Sequence, residues 1–277
     1  MTVRSSGDRR GAVVTGAGRG LGKEIARHLV AEGYAVLVTD VDLALARAAA
    51  EEMGAEAAVL DVRDGAQVET VAAGVVASAG RLDVWVNNAG VLVTGPAWEQ
   101  DEATRRLMVE VNTIGLMNGT VSAIRAMKDN GGGHIVNIVS LAGLVAVPGE
   151  GVYAGSKHAA IGFSLSTQCD LNLAGHRDIN ISCVCPDGIW TPMLHDKLDD
   201  PEAALSFSGK LLKPSEVVDA VAAVLRKPRQ VTAVPRWRGA QVRVLDAVPD
   251  LSLKVLPVAV RMGKRQQAKF RKSGVPE

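Results

Sequence analysis

The sequence predicts a doubly wound α/β fold, a parallel sheet with helices on both faces. Three observations carry this. Short apolar runs of strand length alternate with segments of helical period from residue 12 to residue 234. A glycine cluster separates the first strand from the first helix. Aromatic residues are only 3% of the 277, while Ala, Val, Leu and Gly dominate, a balance that suits buried strands and helices better than an all-β sandwich.

The elements follow in order. Strands are expected at 12–15, 34–38, 57–60, 84–86, 134–139 and 179–185, with 231–234 closing the sheet. Helices are expected at 21–32, 43–53, 66–78, 153–173 and onward from Pro214, and one long helix between 102 and 127. Strands joined by crossover helices pair in parallel, which puts helices on both faces. Without an internal repeat or low-complexity linker, one domain over 1–235 with an extension at 236–277 is the economical reading.

Composition narrows the function. A net charge of +1 gives no whole-chain reason to bind nucleic acid. Cys169, Cys183 and Cys185 lack framework spacing, and Cys183 and Cys185 alternate within one apolar run, which reads as buried thiols on one strand face and not as a metal site. The first ten residues are polar without an apolar signal core, and no segment reaches transmembrane length, so a soluble cytoplasmic protein is expected.

Between the first strand and helix stands Thr15-Gly16-Ala17-Gly18-Arg19-Gly20-Leu21-Gly22. Glycines there let the backbone turn sharply and approach a pyrophosphate, whose charge is stabilised by the helix N-terminus. The spacing is T-G-x-x-x-G-x-G and not G-x-G-x-x-G, because position 21 is leucine. Asp40 ends the second strand 18 residues after Gly22. An acid there accepts hydrogen bonds from ribose hydroxyls and repels the extra phosphate of NADP, which favours NAD. Arg19 is the counter-signal, since a guanidinium can meet that phosphate.

Tyr153 and Lys157 lie four residues apart, one above the other on a helical face. A phenol beside an ammonium is a sensible general acid/base, the positive charge favouring phenolate. The spacing alone is common.

Taken together the motifs identify the chain as similar to the short-chain dehydrogenase/reductase family, in its compact one-domain branch with a Rossmann-type sheet. They run in the family's order from about residue 10 to 235: Thr15 to Gly22, Asp61-Val62, Asn87-Asn88-Ala89-Gly90, Asn112, Ser140, and Tyr153-x-x-x-Lys157, with Tyr153 13 residues after Ser140. The resemblance implies an oxidoreductase that interconverts a secondary alcohol and a ketone. Tyr153 would be the general acid/base, Lys157 would lower its pKa and hold the nicotinamide ribose, Ser140 would orient the substrate oxygen, and Asn112 would anchor a proton-relay water. Gly16, Arg19, Gly20, Leu21, Gly22, Asp40, Asp61, Val62, Asn88, Ala89, Gly90, Tyr153, Lys157, Pro186, Ile189 and Thr191 would bind the cofactor. The resemblance also implies a homodimer or homotetramer through the helices that carry Asn112 and Tyr153. One departure stands out: the family's Pro-Gly after the sixth strand is here Pro186-Asp187-Gly188, with Asp187 read as a turn former.

Apolar residues after Gly90, after Ser140 and around 190–194 suit a lipophilic substrate, with Ser140, Leu141, Val147, Tyr153 and Trp190 as its contacts. An alternative is an NADP-dependent 3-oxoacyl thioester reductase. An extended-branch epimerase and a nucleotide-sensing protein without turnover fit less well. From Arg229 onward there are eleven Lys/Arg against three Asp/Glu. That basic end reads as a helix packed over the substrate entrance or a neighbouring subunit, in preference to a peripheral contact with anionic membrane.

Overall fold

The computed structural model describes residues 10–273, so the polar start at 1–9 and the last four residues lie outside the described residues. Seven strands form: β1 Gly11–Val14, β2 Ala35–Asp40, β3 Glu56–Val59, β4 Leu82–Asn87, β5 Gly133–Ile138, β6 Ile179–Pro186 and β7 Val231–Val234. They pair in parallel in the order β3-β2-β1-β4-β5-β6-β7. The winding reverses between β1 and β4, and the crevice beyond the strand C-termini at such a switch is where this architecture binds ligands.

Helices α1 Gly20–Ala31, α2 Leu43–Met53 and α8 Pro214–Arg226 cover one face. Helices α3 Gly65–Ala79, α4 Glu102–Val109, α5 Leu116–Lys128 and α6 Gly151–Leu173 follow in the chain, and α3, α5 and α6 contribute to the core of the other face. Strand alternation sorts the two cores. Ala12, Val14, Val84 and Val86 point to the first, and Val13 and Trp85 to the second. Buried on both faces, these strands read as continuous apolar runs. Helix starts are set locally: Asp42, Asp64 and Asp101 each accept hydrogen bonds from the first turns of α2, α3 and α4.

A buried polar chain crosses the second core. Asn87 accepts from Trp85 Nε1 at 2.7 Å and donates to Asn137 Oδ1 at 2.8 Å and Thr120 Oγ1 at 3.1 Å. Asn137 donates on to Ser164 Oγ at 2.8 Å. Every member finds a partner, which is the condition for such a network to be tolerated in a core. Cys183 and Cys185 are buried together in a third apolar cluster.

The expected helix at 102–127 is not one α-helix. A π-helical segment, Glu110–Gly115, interrupts it between α4 and α5. The extra residue in that turn lets Asn112 leave the helical ladder's surface and bond the backbone of Val91 on both sides, Val91 N to Oδ1 and Nδ2 to Val91 O, each at 2.9 Å. Sequence period does not register such a bulge, because the apolar positions resume after it.

After β6 come α7 Pro192–His195 and a 3₁₀ segment Pro201–Phe207, and the chain ends in α9 Arg236–Ala247 and α10 Pro249–Ser273. Pro249 opens α10, where its missing N–H costs nothing, and Pro257 sits inside it. Helix α10 packs on Pro201–Phe207: Gln267, 1% exposed, donates to Lys197 O at 2.9 Å and Asp200 O at 2.7 Å, and Gly263 lies against Ala204 O. The expected packing over an entrance is what α10 adopts. No helix among the described residues is long and apolar enough to cross a membrane.

His134, buried on β5 with Nε2 2.9 Å from Ser182 Oγ, has its pKa pushed down to about 4 by burial. The folded state therefore holds it neutral while the unfolded chain protonates it below its ordinary value near 6.5. Stability from this group is complete above pH 6.5 and lost as pH falls towards 4. Denaturant unfolding at pH 7 and pH 4.5 should show the wild type losing on the order of 2 kcal/mol more than His134→Gln. Equal losses would dismiss His134 as an acid-sensitive group.

Candidate active site

A cavity of about 740 Å³ lies beyond the C-terminal ends of β1, β4, β5 and β6. Its floor at β1 is the glycine turn. Gly16 and Gly20 both adopt φ +59°, the left-handed region that disfavours a side chain. A Cβ at Gly22 would collide with Asn88 Nδ2 and Gly16 O. The turn is clamped from β4: Asn88 Nδ2 donates to Thr15 O and Gly16 O, both at 2.9 Å, and Thr15 Oγ1 accepts from the N–H groups of Asn88 and Ala89 at 3.0 Å. Bare backbone at the N-terminus of α1 therefore faces the cavity, and a pyrophosphate fits that cradle.

All sixteen residues expected at the cofactor line this one cavity: Gly16, Arg19, Gly20, Leu21, Gly22, Asp40, Asp61, Val62, Asn88, Ala89, Gly90, Tyr153, Lys157, Pro186, Ile189 and Thr191. Asp40 has a second task, since its Oδ2 accepts from Gly18 N at 3.0 Å and so braces the turn. Asp61 pairs with Arg63 at 2.6 Å, and that guanidinium holds its carboxyl below the usual range. Arg63 also reaches Glu110 at 3.8 Å, whereas Arg19 is exposed and makes no ion pair among the described residues.

The reacting corner is built by β5 and α6. Ser140 follows β5 and is near enough to Tyr153 to favour its phenolate, and its Oγ accepts from Ala142 N at 3.1 Å. Lys157, 4% exposed, donates from Nζ to Ile138 O at 3.2 Å and stands 5.6 Å from the centre of the Tyr153 ring. Burial brings the lysine down to about pKa 8. The expected lowering of the Tyr153 pKa is reversed. Burial is the largest influence and the Glu150 carboxylate the next, and both push the phenol up. Tyr153 is held as a neutral proton donor.

Two expected site residues are not on the cavity wall. Asn112, 1% exposed, sits one layer behind Gly90 and Val91. Its amide N–H groups are both engaged, by Val91 O and, at 3.1 Å, by Ser156 Oγ, and its Oδ1 accepts from Val91 N, which ties the wall at Val91 to α6. Trp190 turns away from the cavity into an apolar cluster, 4.1 Å from the His195 ring and 6.3 Å from Phe270 of α10. That ring stack outcompetes the pocket for the indole. The other substrate contacts, Leu141 and Val147, line the cavity with Ser140 and Tyr153.

Sequence reading expected a helix over the entrance but named none of its residues. Arg238, Gln241, Val242 and Leu245 of α9 and Val255, Leu256, Val258, Ala259 and Met262 of α10 close the cavity from above. Arg238 is anchored by the family departure: its Nε donates to Asp187 Oδ2 at 2.9 Å, while Asp187 Oδ1 accepts from Gly188 N at 3.0 Å. Asp187 therefore forms its turn and also pins α9. It missed Glu150 as well, a buried carboxyl in the wall, although its place one helical turn before Tyr153 could have signalled it.

These features define the class of protein. The chain belongs to the short chain dehydrogenase family, whose sequence profile matches residues 10–202, and it is an oxidoreductase of the short-chain dehydrogenase/reductase type. It is 32% identical over 219 residues to the oxidoreductase UcpA of Salmonella typhimurium, covering 75% of this chain and 82% of the relative. It is also 32% identical over 203 residues to the levodione reductase of Leifsonia aquatica, covering 70% and 75% respectively. A crystal structure of a short-chain dehydrogenase/reductase from Burkholderia phymatum in complex with NAD superposes with a TM-score of 0.78 at 27% identity, over 90% of this chain and 97% of that one.

Proposed function

We propose that this oxidoreductase interconverts a lipophilic secondary alcohol and its ketone, with NAD as the cofactor. The observation that supports it most is convergence: Ser140, Tyr153 and Lys157 meet on the wall of the same cavity as the glycine cradle and Asp40. With its pyrophosphate in that cradle, the cofactor would supply the hydride donor or acceptor through its nicotinamide. Ser140 orients the substrate oxygen by hydrogen bonding, and Tyr153 gives that oxygen its proton in reduction and takes it back in oxidation. Lys157, charged at neutral pH, stabilises the negative charge that develops as the phenol gives up its proton. Asn112 acts through Val91 and Ser156 as a positioning residue.

Much of the rest of the wall is apolar, from Val91, Leu92 and Leu107 through Leu141, Val145 and Val147 to Val255, Leu256 and Met262 of the roof, which suits a lipophilic substrate. In this reading α9 and α10, within the extension that follows residue 235, serve the catalytic domain as that roof. The named activity of the levodione reductase relative and the NAD in the Burkholderia structure agree with this reading. Exposed Leu107, Val109, Ile114 and Leu165 on the side carrying α4, the π-turn and α6 favour a homo-oligomer through that face.

Asp40 carries the cofactor preference, because Arg63 is already paired and Val41 offers no charge. In Asp40→Ala, Arg19 can meet a 2′-phosphate unopposed. Assayed with a panel of lipophilic ketones, the wild type should prefer NADH over NADPH, and Asp40→Ala should lower that preference at least about tenfold. A wild type that prefers NADPH would overturn the NAD assignment. Turnover of no ketone or alcohol in the panel would overturn the substrate class.

A further inference from the structure

Glu150 is the one group of the cavity wall that neither the fold nor the chemistry above explains. Its position is rigid. Its N–H donates to Val147 O at 3.0 Å, the neighbouring Gly149 O accepts from Gly95 N at 2.7 Å, and Gly149, at φ +82°, packs against the backbone of Glu202. The residue is 3% exposed and lines the cavity.

A buried carboxyl is costly unless it is compensated. Glu150 precedes α6 at the capping position, yet its side chain makes no capping hydrogen bond. It makes no ion pair among the described residues; Arg238 is taken by Asp187, and Lys197 lies beside Asp200 at 3.9 Å. Among the described residues its carboxyl has one hydrogen-bond partner, Ser206, whose Oγ donates to Oε1 at 2.6 Å. Tyr153, Asp187, Asp200 and Lys197 complete its charged and titratable surroundings; the two aspartates worsen the burial of a negative charge and only Lys197 eases it. An apolar residue would fill this place at lower cost, so packing does not account for a carboxyl here.

We propose that Glu150 is a specificity-determining residue, a second polar anchor in the cavity for a hydroxyl that the substrate carries away from its reacting carbon. This rests on the alcohol/ketone reading of the site and narrows the substrate class to lipophilic, uncharged ketones and alcohols with a second hydroxyl. The carboxyl suits such a group in either protonation state: burial brings its pKa up to about 7, and it donates when protonated and accepts when ionised. An anionic substrate tail would meet Glu150 and Asp187 together and is disfavoured.

The test uses matched ketones with NADH: 4-methylcyclohexanone against 4-hydroxycyclohexanone, and 2-decalone against its hydroxylated analogues. The wild type should turn over the hydroxylated member with the higher kcat/KM. That preference should fall in the order wild type, Glu150→Gln, Glu150→Leu, by about tenfold or more across the series. Glutamine keeps an acceptor for Ser206, so the comparison survives if Glu150→Leu fails to fold. Thermal shifts of the NAD-loaded proteins with the same ketones give a second readout: a shift on the hydroxylated member in the wild type that shrinks in the variants supports the anchor. Ratios and shifts that are the same in all three proteins, or a wild-type preference for the plain ketone, overturn it. Failure of every ketone to turn over while the shifts still depend on Glu150 would sink the oxidoreductase reading of the substrate and leave the anchor standing.

Discussion

Tyr153→Phe should lose turnover by roughly 10² to 10⁴, the range that a positioned general acid/base contributes. The substitution removes one oxygen and keeps the ring that stands 5.6 Å from Lys157, so the cavity and the glycine cradle stay as they are. Binding of NADH, followed by its fluorescence, should therefore change little while kcat collapses. Turnover within a few-fold of the wild type would remove Tyr153 from the mechanism. The pH dependence follows from the same burial. The phenol is held above its ordinary pKa, so as a donor it is ready throughout the neutral range, and ketone reduction should be flat there. Oxidation needs the phenolate, and its rate should climb with pH through the alkaline range.

Arg238→Met should be the most damaging change outside the reacting corner. It leaves the Asp187 carboxylate, whose side chain is 11% exposed, without its 2.9 Å partner. Removing one member of such a pair costs roughly 3 kcal/mol, because the remaining charge has lost its solvent and its counter-charge together. At about 2–4 °C per kcal/mol for a domain near this size, the unfolding temperature should drop by several degrees. Helix α9 should loosen at the same time, so the KM for ketone should rise while that for NADH stays close to wild type. Asp187→Gly in the Arg238→Met background removes the stranded charge and restores Gly at that turn, and should recover most of the lost stability. If the double variant is no better than the single one, the two residues are not coupled and Arg238 acts through Gln241 or Ser208, its other partners.

The sheet was legible because it is buried on both faces. Each strand is a continuous apolar run bounded by polar turns, and the seven expected strands form within two residues of their expected ends. The cofactor wall was legible for a related reason: Gly16, Gly20 and Gly22 are demanded by backbone geometry, so their spacing survives as a pattern. The misses have physical causes of their own. Asn112 moved behind the wall because a π-turn adds a residue without disturbing the apolar period on either side. Trp190 was read as a pocket residue from its place after β6, but its partner Phe270 is 80 residues away and belongs to a helix whose prolines hide its period. Glu150 was silent because a single acid between two glycines looks like a solvated loop until the loop is seen folded under Ser206. The raised phenol was missed because charge proximity was weighed and burial was not.

The roof over the cavity has a bearing on how such a protein can change over time. Everything expected to handle the cofactor and the proton lies between Gly16 and Thr191, inside the span shared with relatives, whereas α9 and α10 begin after residue 235. The two jobs are written on separate stretches of the gene. Changes in the last forty or so codons would alter that part of the cavity wall while leaving the sequence of the cofactor cradle and of the reacting corner as it is. The junction that such an exchange must respect has two parts: the Asp187–Arg238 pair between the turn after β6 and the first turn of α9, and the seat of Gln267 and Gly263 of α10 on residues 197–204.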